Sequence, residues 1–222
     1  MNQTTRRPVN LVVGGKPLDG VVTVPPDPLG LVVCVSGGQG TQHATLETEL
    51  SSRLHDHNIA TLVMELVSVE DSSNRAVRTD METLTRRLDE QLAWVRNQDD
   101  LESLDVALCG LGTGAAATLE YLATQSVDIS GATLLDGRVG LASVVSSTLR
   151  SPLLFSVAEP SRQLETENRD AYERINATDS AAHFLQAPDP DRFDIIARWF
   201  ESILRPAKQA VNSQPAADEY EA

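Results

Sequence analysis

The chain has 222 residues, and its 41% hydrophobic and 23% charged positions are typical of a globular protein with one sizeable core. Acidic residues outnumber basic ones by 32 to 18, and the net charge of −14 would repel phosphate backbones and anionic membrane surfaces. No apolar run approaches the roughly 20 residues of a transmembrane helix, and the first ten residues contain no apolar signal-peptide core. We therefore expect a cytoplasmic protein that binds neither nucleic acid nor a membrane.

Apolar runs that stop at glycine or proline predict strands, and apolar residues spaced three or four apart predict helices. Leu46, Leu50 and Leu54 lie on one face of the first predicted helix, which Asn58 can end in the left-handed conformation. The predicted elements are, in chain order, strands 21–24 and 31–36, helix 45–57, strand 59–66, helix 78–97, strand 105–109, helix 113–124, strands 132–135 and 152–157, helix 163–175, strand 182–187, and a last helix with Asp189 at the N-cap and Pro190 at N1.

Apolar strands that alternate with helices predict an α/β fold, in which a mostly parallel sheet is covered by helices on both faces. We expect one domain over residues 1–205 and a disordered acidic tail over residues 206–222. Cys34 and Cys109 lie in two predicted strands, so free buried thiols are expected rather than a disulfide or a metal site. In sheets of this kind, ligands bind at the carboxyl ends of the strands.

The most informative segment is the glycine-rich turn after the fourth predicted strand. Gly110, Gly112 and Gly114 separate this strand from an alanine-rich helix. One template is the nucleophile elbow G-x-S-x-G, in which a strand turns sharply into a helix, but Gly112 occupies the nucleophile position. The other is a dinucleotide-binding turn, in which Gly110, Gly112 and Ala115 take the G-x-G-x-x-A spacing and Asp136 is the ribose-binding acid. The turn alone does not decide between them.

Collinear motifs over residues 18–204 resemble the dienelactone-hydrolase branch of the α/β-hydrolase superfamily. Segment 31–40 is similar to the family's oxyanion loop, segment 110–117 is similar to its elbow, and Gly137 and Arg138 match a Gly-Gly-Arg turn. The resemblance implies an α/β-hydrolase-like fold. It also implies a ligand site formed by Ser36, Gly37, Gly38, His43, Gly112, Thr113 and Arg138.

The catalytic triad of that family is degenerate in this sequence. Gly112 supplies no nucleophile, and Thr113 lies one residue too late to stand at the apex of the turn. The resemblance puts the acid after the sixth predicted strand, where Ser161 takes the aligned position and Glu159 is a displaced candidate. His183 aligns with the catalytic histidine by its distance from the closing helix. Its spacing from the preceding helix favours instead a place at the start of the last strand.

Three functional hypotheses remain open. The first is a hydrolase-fold protein without its triad, a pseudoenzyme that binds a small ligand or a partner protein and needs no cofactor or metal. The second is an active carboxylic-ester hydrolase in which Glu159 and His183 act on water. The third is a dinucleotide-dependent enzyme that uses the glycine turn and Asp136. It is weakened because this turn follows about a hundred residues, whereas a dinucleotide turn usually follows the first strand.

The basic residues are unevenly divided, with 16 arginines and 2 lysines beside 17 aspartates and 15 glutamates. A surface of hydrated carboxylates keeps a protein soluble at low water activity, so halophilic adaptation explains this composition. An arginine-rich codon preference in an ordinary host explains the same counts. The composition does not decide between these two origins.

Overall fold

A computed structural model describes residues 3–37, 40–124, 128–143, 149–158, 161–176, 182–186 and 191–205, without the side chains of residues 40–47, 176 and 186. The described strands are β1 (Thr5–Val13), β2 (Lys16–Val24), β3 (Leu31–Ser36), β4 (Ala60–Glu65), β5 (Val106–Leu111), β6 (Ala132–Leu135), β7 (Leu153–Val157) and β8 (Ala182–Gln186). The described helices are α1 (Gly40–Asp56), α2 (Arg75–Arg78), α3 (Met81–Val95), α4 (Thr113–Thr124), α5 (Arg162–Asn176) and α6 (Arg192–Leu204), with a short 3₁₀ turn over Val139–Leu141.

All eight strands form one sheet in the order β1-β2-β4-β3-β5-β6-β7-β8. β1 pairs with β2 and β2 pairs with β4 in antiparallel fashion, and every other neighbouring pair is parallel. The prediction of an α/β fold with a mostly parallel sheet is therefore confirmed. The expected burial of the two thiols is also confirmed, since Cys34 and Cys109 are buried, outside any disulfide, and paired with each other across β3 and β5.

Helices cover both faces of the sheet and create two hydrophobic cores. α1 and α6 pack on one face, and α3, α4 and α5 pack on the other. The central strand β3 serves both cores, since Val32 and Cys34 point into the first and Val33 and Val35 into the second. A strand buried on both faces must be apolar at every position, which explains why β3 was predicted with the bounds that it has.

β1 was not predicted from the sequence. It is an edge strand in which buried Val9 and Val13 alternate with exposed or half-buried residues. Gly14 and Gly15, both with positive φ, connect it to β2 in a tight hairpin. Pro8 within the segment is tolerated because an edge strand leaves half of its N–H groups without a partner strand. The period of two was present in the sequence but was obscured by the arginines and the proline.

Several boundaries also differ from the predicted ones. α1 begins at Gly40, five residues earlier than predicted, and Asn58 ends the turn after it with the expected positive φ of 56°. α6 begins at Arg192 with Asp191 at the N-cap, so the prediction of an N-cap at Asp189 is wrong. The tail over residues 206–222 lies outside the described residues. Within the described part of the chain, we find no helix with the length and apolarity that crossing a bilayer requires.

Candidate functional site

The glycine turn lies at the carboxyl end of β5, in the middle of the sheet. Gly112 is the single residue between β5 and α4, and its φ of 56° is in the left-handed region. Its N–H donates to the carbonyl of Leu135 at 3.2 Å, and its carbonyl accepts from the N–H of Arg138 at 2.9 Å. These bonds tie the turn to the end of β6. The backbone therefore has the sharp strand-to-helix turn of a nucleophile elbow, with glycine at its apex.

Close packing explains why the residues around Gly112 are small. A Cβ on Gly110 would lie 2.5 Å from the Cα of Ala115, and a Cβ on Gly114 would overlap the carbonyl oxygen of Val35 in β3. α4 can therefore begin directly against the central strands. These glycines have a packing role that does not depend on any bound phosphate, so their spacing alone is not a signature of a dinucleotide site.

The hydroxyl next to the apex is not available as a nucleophile. Thr113 is fully buried, and its Oγ1 occupies the space that a Cβ on Gly37 would need. Oγ1 also has no hydrogen-bond partner. Thr113 thus fills a gap between α4 and the end of β3 and presents no side-chain atom to solvent.

The other residues of the expected ligand site differ in their exposure and in how fully the structure describes them. Ser36 ends β3 and is only 2% exposed, and its carbonyl accepts the N–H of Leu66 at 2.8 Å. Arg138 is exposed and sits beside Gly112 through the backbone hydrogen bond. Gly38 lies outside the described residues, and position 43 is in the first turns of α1 with its side chain not described. Ser36, Gly37, Thr113 and Arg138 are therefore brought together at one edge of the sheet.

The expected acid position has a structural role instead. Ser161 precedes α5, and its Oγ accepts the N–H of Leu164 at 3.3 Å, which is the geometry of an N-cap. A serine hydroxyl does not stabilise an imidazolium as a carboxylate does. Glu159, the displaced candidate, lies outside the described residues.

His183 is the second residue of β8 and is exposed. It pairs with Leu154 of β7, whereas the carboxyl end of β8 at Gln186 pairs with Val157. Three residues of strand, or about 10 Å at ~3.3 Å per residue, separate His183 from the carboxyl edge where Gly112 lies. The strand placement favoured by its spacing is the one observed, and the structure does not bring His183 to the glycine turn.

A buried ion pair that the sequence did not suggest lies at this edge. Asp136 follows β6 with a φ of 44°, and its carboxylate accepts both terminal nitrogens of Arg192 at 3.1 and 3.4 Å. The Asp136 carboxylate also accepts the N–H of Ala158 at 2.7 Å. The Arg192 guanidinium packs over the ring of Phe193, 4.7 Å from its centroid. The pair therefore joins the ends of β6 and β7 to the start of α6.

This pair bears on the dinucleotide hypothesis, in which Asp136 would bind ribose hydroxyls. The carboxylate is nearly buried and is held by a guanidinium and a backbone N–H, so little of its accepting capacity faces a ligand. Arg192 was missed because one arginine among several aspartates at a helix start has no distinctive pattern.

A second carboxylate, Glu65, ends β4 opposite Ser36, and burial raises the pKa of its carboxyl. Among the described residues, no group of His, Cys, Asp and Glu could hold a metal ion.

Solved structures with the same architecture are dienelactone hydrolases and esterases. The dienelactone hydrolase of Anabaena variabilis is 22% identical with a TM-score of 0.77, and the match covers 90% of this chain and 97% of that one. An esterase of Pyrobaculum calidifontis is 12% identical with a TM-score of 0.72, covering 92% and 87% of the two chains. Carboxyl esterase 2 of Tuber melanosporum is 10% identical with a TM-score of 0.70, covering 92% and 88%.

The sequence relatives match a shorter part of this chain than the solved structures do. A Mycobacterium tuberculosis protein named "Putative phosphoribosyl transferase", found in strains CDC 1551 and H37Rv, is 33% identical over 149 residues. The match covers 67% of this chain but 34% of that protein, so the chain spans about a third of the length of the curated relatives it matches. No family model matches the chain.

The family resemblance noted in the sequence and the architecture agree. The mostly parallel sheet with helices on both faces agrees with that resemblance, and TM-scores of 0.77 and 0.72 show that this chain shares its architecture with those solved structures. This chain has the α/β-hydrolase fold.

Proposed function

We propose that this chain is a hydrolase-fold protein that binds a small ligand at the carboxyl edge of its sheet and does not hydrolyse esters. The observation that carries the proposal is Gly112 at the apex of the β5–α4 turn. Acyl transfer in this fold needs an oxygen or sulfur nucleophile at that point, and glycine provides neither.

No neighbouring described side chain is placed to replace the missing nucleophile. Thr113 is fully buried, Ser36 is 2% exposed, and Cys34 and Cys109 lie inside strands with no exposed surface. A nucleophile must reach the substrate, and these groups do not reach the surface of the edge. The same burial argues against a displaced catalytic nucleophile among these residues.

The relay that would activate a nucleophile is also incomplete. His183 lies on β8 away from the turn, and Ser161 caps α5. Asp136 is held by Arg192 and by the N–H of Ala158. The hypothesis of an esterase in which Glu159 and His183 act on water therefore receives no support from the position of His183.

The part of the site that persists is made of backbone groups. The N–H groups of Thr113 and Gly114 begin α4 and lie at the positive end of its dipole, whereas the next N–H, that of Ala115, donates to the Gly112 carbonyl at 3.3 Å. They follow Gly112 directly and adjoin Gly37 at the end of β3. Such an arrangement favours a ligand that presents a carbonyl or carboxylate oxygen. Phosphoribosyl transfer belongs to the name of a longer protein, and the Gly112 turn gives no reason to extend it to this chain.

A hydrolysis assay with an activated short-chain aryl ester tests the proposal. We expect the wild-type chain to show no saturable turnover above the buffer rate, because a nucleophile and its base act as a unit and the loss of the nucleophile alone removes nearly all of their joint contribution. Gly112→Ser adds a hydroxyl at the apex without a base to activate it, so it should stay inactive. Gly112→Ala is the matched control, since it adds the same Cβ without the hydroxyl.

Two results would contradict the proposal. The first is saturable turnover by the wild-type chain that His183→Ala abolishes, which would favour the esterase hypothesis. The second is tight binding of nicotinamide or flavin dinucleotides in a calorimetric titration, which would favour the dinucleotide hypothesis. Binding of small carboxylates that shifts the amide resonances of Gly112 and Thr113 is the result we expect instead.

A further inference from the structure

A cavity of about 430 Å³ lies between the flank of α1 and the sheet, away from the glycine turn. Its polar lining comes from β1, β2, α1 and β4, and includes Arg6, Thr23, Ser51, Ser52, His55 and Thr61. Val21 and Val63 form an apolar floor between these groups. It is therefore a pocket with one strongly basic group, several hydroxyls and a small apolar surface.

The strand register places this cavity at the opposite end of the sheet from Gly112. Thr61 pairs with Val32 near the amino end of β3, whereas Glu65 pairs with Ser36 at its carboxyl end. The four residue steps from Thr61 to Glu65 span about 13 Å at ~3.3 Å per residue. A ligand here would not contact the Gly112 turn, so the cavity is a separate site.

The charge of the lining is unusual for this protein. None of the described acidic side chains lines the cavity, although the chain has 32 acidic residues. Arg6 makes no ion pair within the part of the chain that is described, whereas its neighbour Arg7 pairs with Asp100 on the other face of β1. A guanidinium beside hydroxyl groups, with no described carboxylate in the lining, attracts an anion.

Ser51 provides a second, independent observation. This α1 residue is 9% exposed, and its Oγ is buried with no hydrogen-bond partner although the residue lines the cavity. A buried hydroxyl without a partner opposes folding, because it has lost water and gained nothing in return. A change of the χ1 rotamer would turn this hydroxyl towards the cavity, where a bound acceptor would supply the missing partner.

His55 lies one turn after Ser51 on the same helix face. Its Nε2 is 2.8 Å from Oγ1 of Thr61. Burial lowers the pKa of the His55 ring; the charge of Asp56 opposes this and the charge of Arg6 adds to it. The lowered pKa favours the neutral form of the ring. The hydrogen bond between His55 and Thr61 fixes the orientation of both side chains. The positive charge of the pocket comes from Arg6.

We propose that this cavity binds a small oxyanion, a carboxylate or a phosphate-type group carried on a short apolar body. Arg6 supplies the charge, the hydroxyls of Ser51 and Ser52 supply donors, and the apolar body lies on Val21 and Val63. The net charge of −14 repels anions at long range, so binding here requires the local cation and these specific donors.

Titration of the full chain with sodium propionate and, separately, with sodium sulfate tests the proposal and distinguishes the two sources of the oxyanion. Amide chemical shifts are followed by NMR at constant ionic strength. We expect saturable shifts at Ser51, Ser52, His55 and Thr61, with the tighter of the two salts identifying the head group. Arg6→Gln should weaken binding by about tenfold or more, because hydrogen bonds to charged groups contribute most of such an interaction.

Arg7→Gln is the matched control, since it removes the same charge from the same strand on the opposite face. It should leave the affinity within about twofold. Ser51→Ala separates a binding role from a structural one. Removing an unpartnered buried hydroxyl should leave the melting temperature of the free protein unchanged or higher, while the anion affinity falls.

Three results would overturn the proposal: no saturable shift with either salt, shifts that Arg6→Gln and Arg7→Gln reduce equally, or an affinity that Ser51→Ala does not change. Because the cavity does not include Gly112, the outcome is independent of the hydrolysis assay.

Discussion

Asp136 is a ribose-binding acid only in the dinucleotide hypothesis, and the structure gives it another role. It is one half of an ion pair with Arg192 that is almost fully removed from solvent. The two residues are 56 positions apart, so no local pattern connects them. Only the fold, which brings the end of β6 to the start of α6, makes the pair. A carboxylate at a strand end is thus an ambiguous signal when its partner is unknown.

We predict that Asp136→Asn lowers the free energy of unfolding by about 3–5 kcal/mol, because it leaves the Arg192 guanidinium buried without a compensating charge. Asparagine tolerates a positive φ as well as aspartate does, so the backbone at this position should not add a further cost. Urea unfolding followed by circular dichroism measures the change.

The control for this variant is Asp194→Asn, which removes a half-exposed carboxylate that pairs with Arg198 at i,i+4 and lies 3.6 Å from Nε2 of His57. Exposed pairs contribute little, so a change below about 1 kcal/mol is expected. Adding Arg192→Met to Asp136→Asn should recover much of the loss, since the unpaired charge is then gone. Equal losses for the buried and the exposed variants would contradict the assigned role.

At the scale of elements, the β5–α4 turn shows how packing can override helix propensity. Gly114 is in the first turn of α4, where a Gly→Ala change would ordinarily stabilise a helix by about 1 kcal/mol. Here the added Cβ would overlap the carbonyl oxygen of Val35, a backbone atom of a central strand that cannot move aside.

We therefore predict that Gly114→Ala destabilises the protein by about 1–3 kcal/mol, the usual cost of overpacking a core. Gly140→Ala is a suitable control, because the nearest atoms to its added Cβ belong to the mobile end of the Glu167 side chain. That change should stay within about 0.5 kcal/mol. A Gly114→Ala variant as stable as the parent in urea unfolding would show that α4 is not fixed against β3.

Elements buried on both faces were the most predictable ones. β3, β6 and α4 have the bounds expected from the sequence, because apolar and small residues predominate in each of them and mark them off from the segments on either side. The edge strand β1 was missed, since only Val9 and Val13 of it are buried. Helix starts were less predictable for a related reason, since several polar residues near one another can each serve as a cap.

Only the backbone conformation of the candidate site could be predicted from the sequence, and the roles of its side chains could not. The glycine spacing correctly suggested the sharp turn at Gly112, and spacing alone favoured the strand position of His183. The burial of Thr113 and the capping role of Ser161 depend on neighbours from other elements. The cavity at Arg6 could not be predicted from any local sequence pattern, because residues of four separate elements line it.

At the scale of the whole molecule, the excess of acidic residues predicts a stability that depends on salt. With a net charge of −14, the folded chain brings like charges closer together than the unfolded chain does. We predict that the melting temperature rises as KCl increases, since the Debye length falls from ~30 Å at 0.01 M to ~3 Å at 1 M and screens this repulsion.

Attractive pairs on the surface act in the opposite direction. Four i,i+4 ion pairs lie on the described helices, namely Arg86–Glu90, Arg169–Glu165, Arg198–Asp194 and Arg205–Glu201. Each contributes about 0.3–0.5 kcal/mol that salt weakens, so together they oppose the rise by no more than about 2 kcal/mol. The unbalanced carboxylates are not confined to these helices, so we expect the repulsive contribution to be the larger one.

The shape of the curve separates the two origins of the composition. If screening alone acts, most of the rise should be complete near 0.15 M, where the Debye length is already about 8 Å. Halophilic adaptation predicts a rise that continues to molar KCl, where hydration of the carboxylate surface matters and screening no longer changes much. Differential scanning calorimetry from low to molar KCl measures both parts. A melting temperature that stays flat over the whole range would contradict the halophilic interpretation and would show that self-repulsion does not limit the folded state.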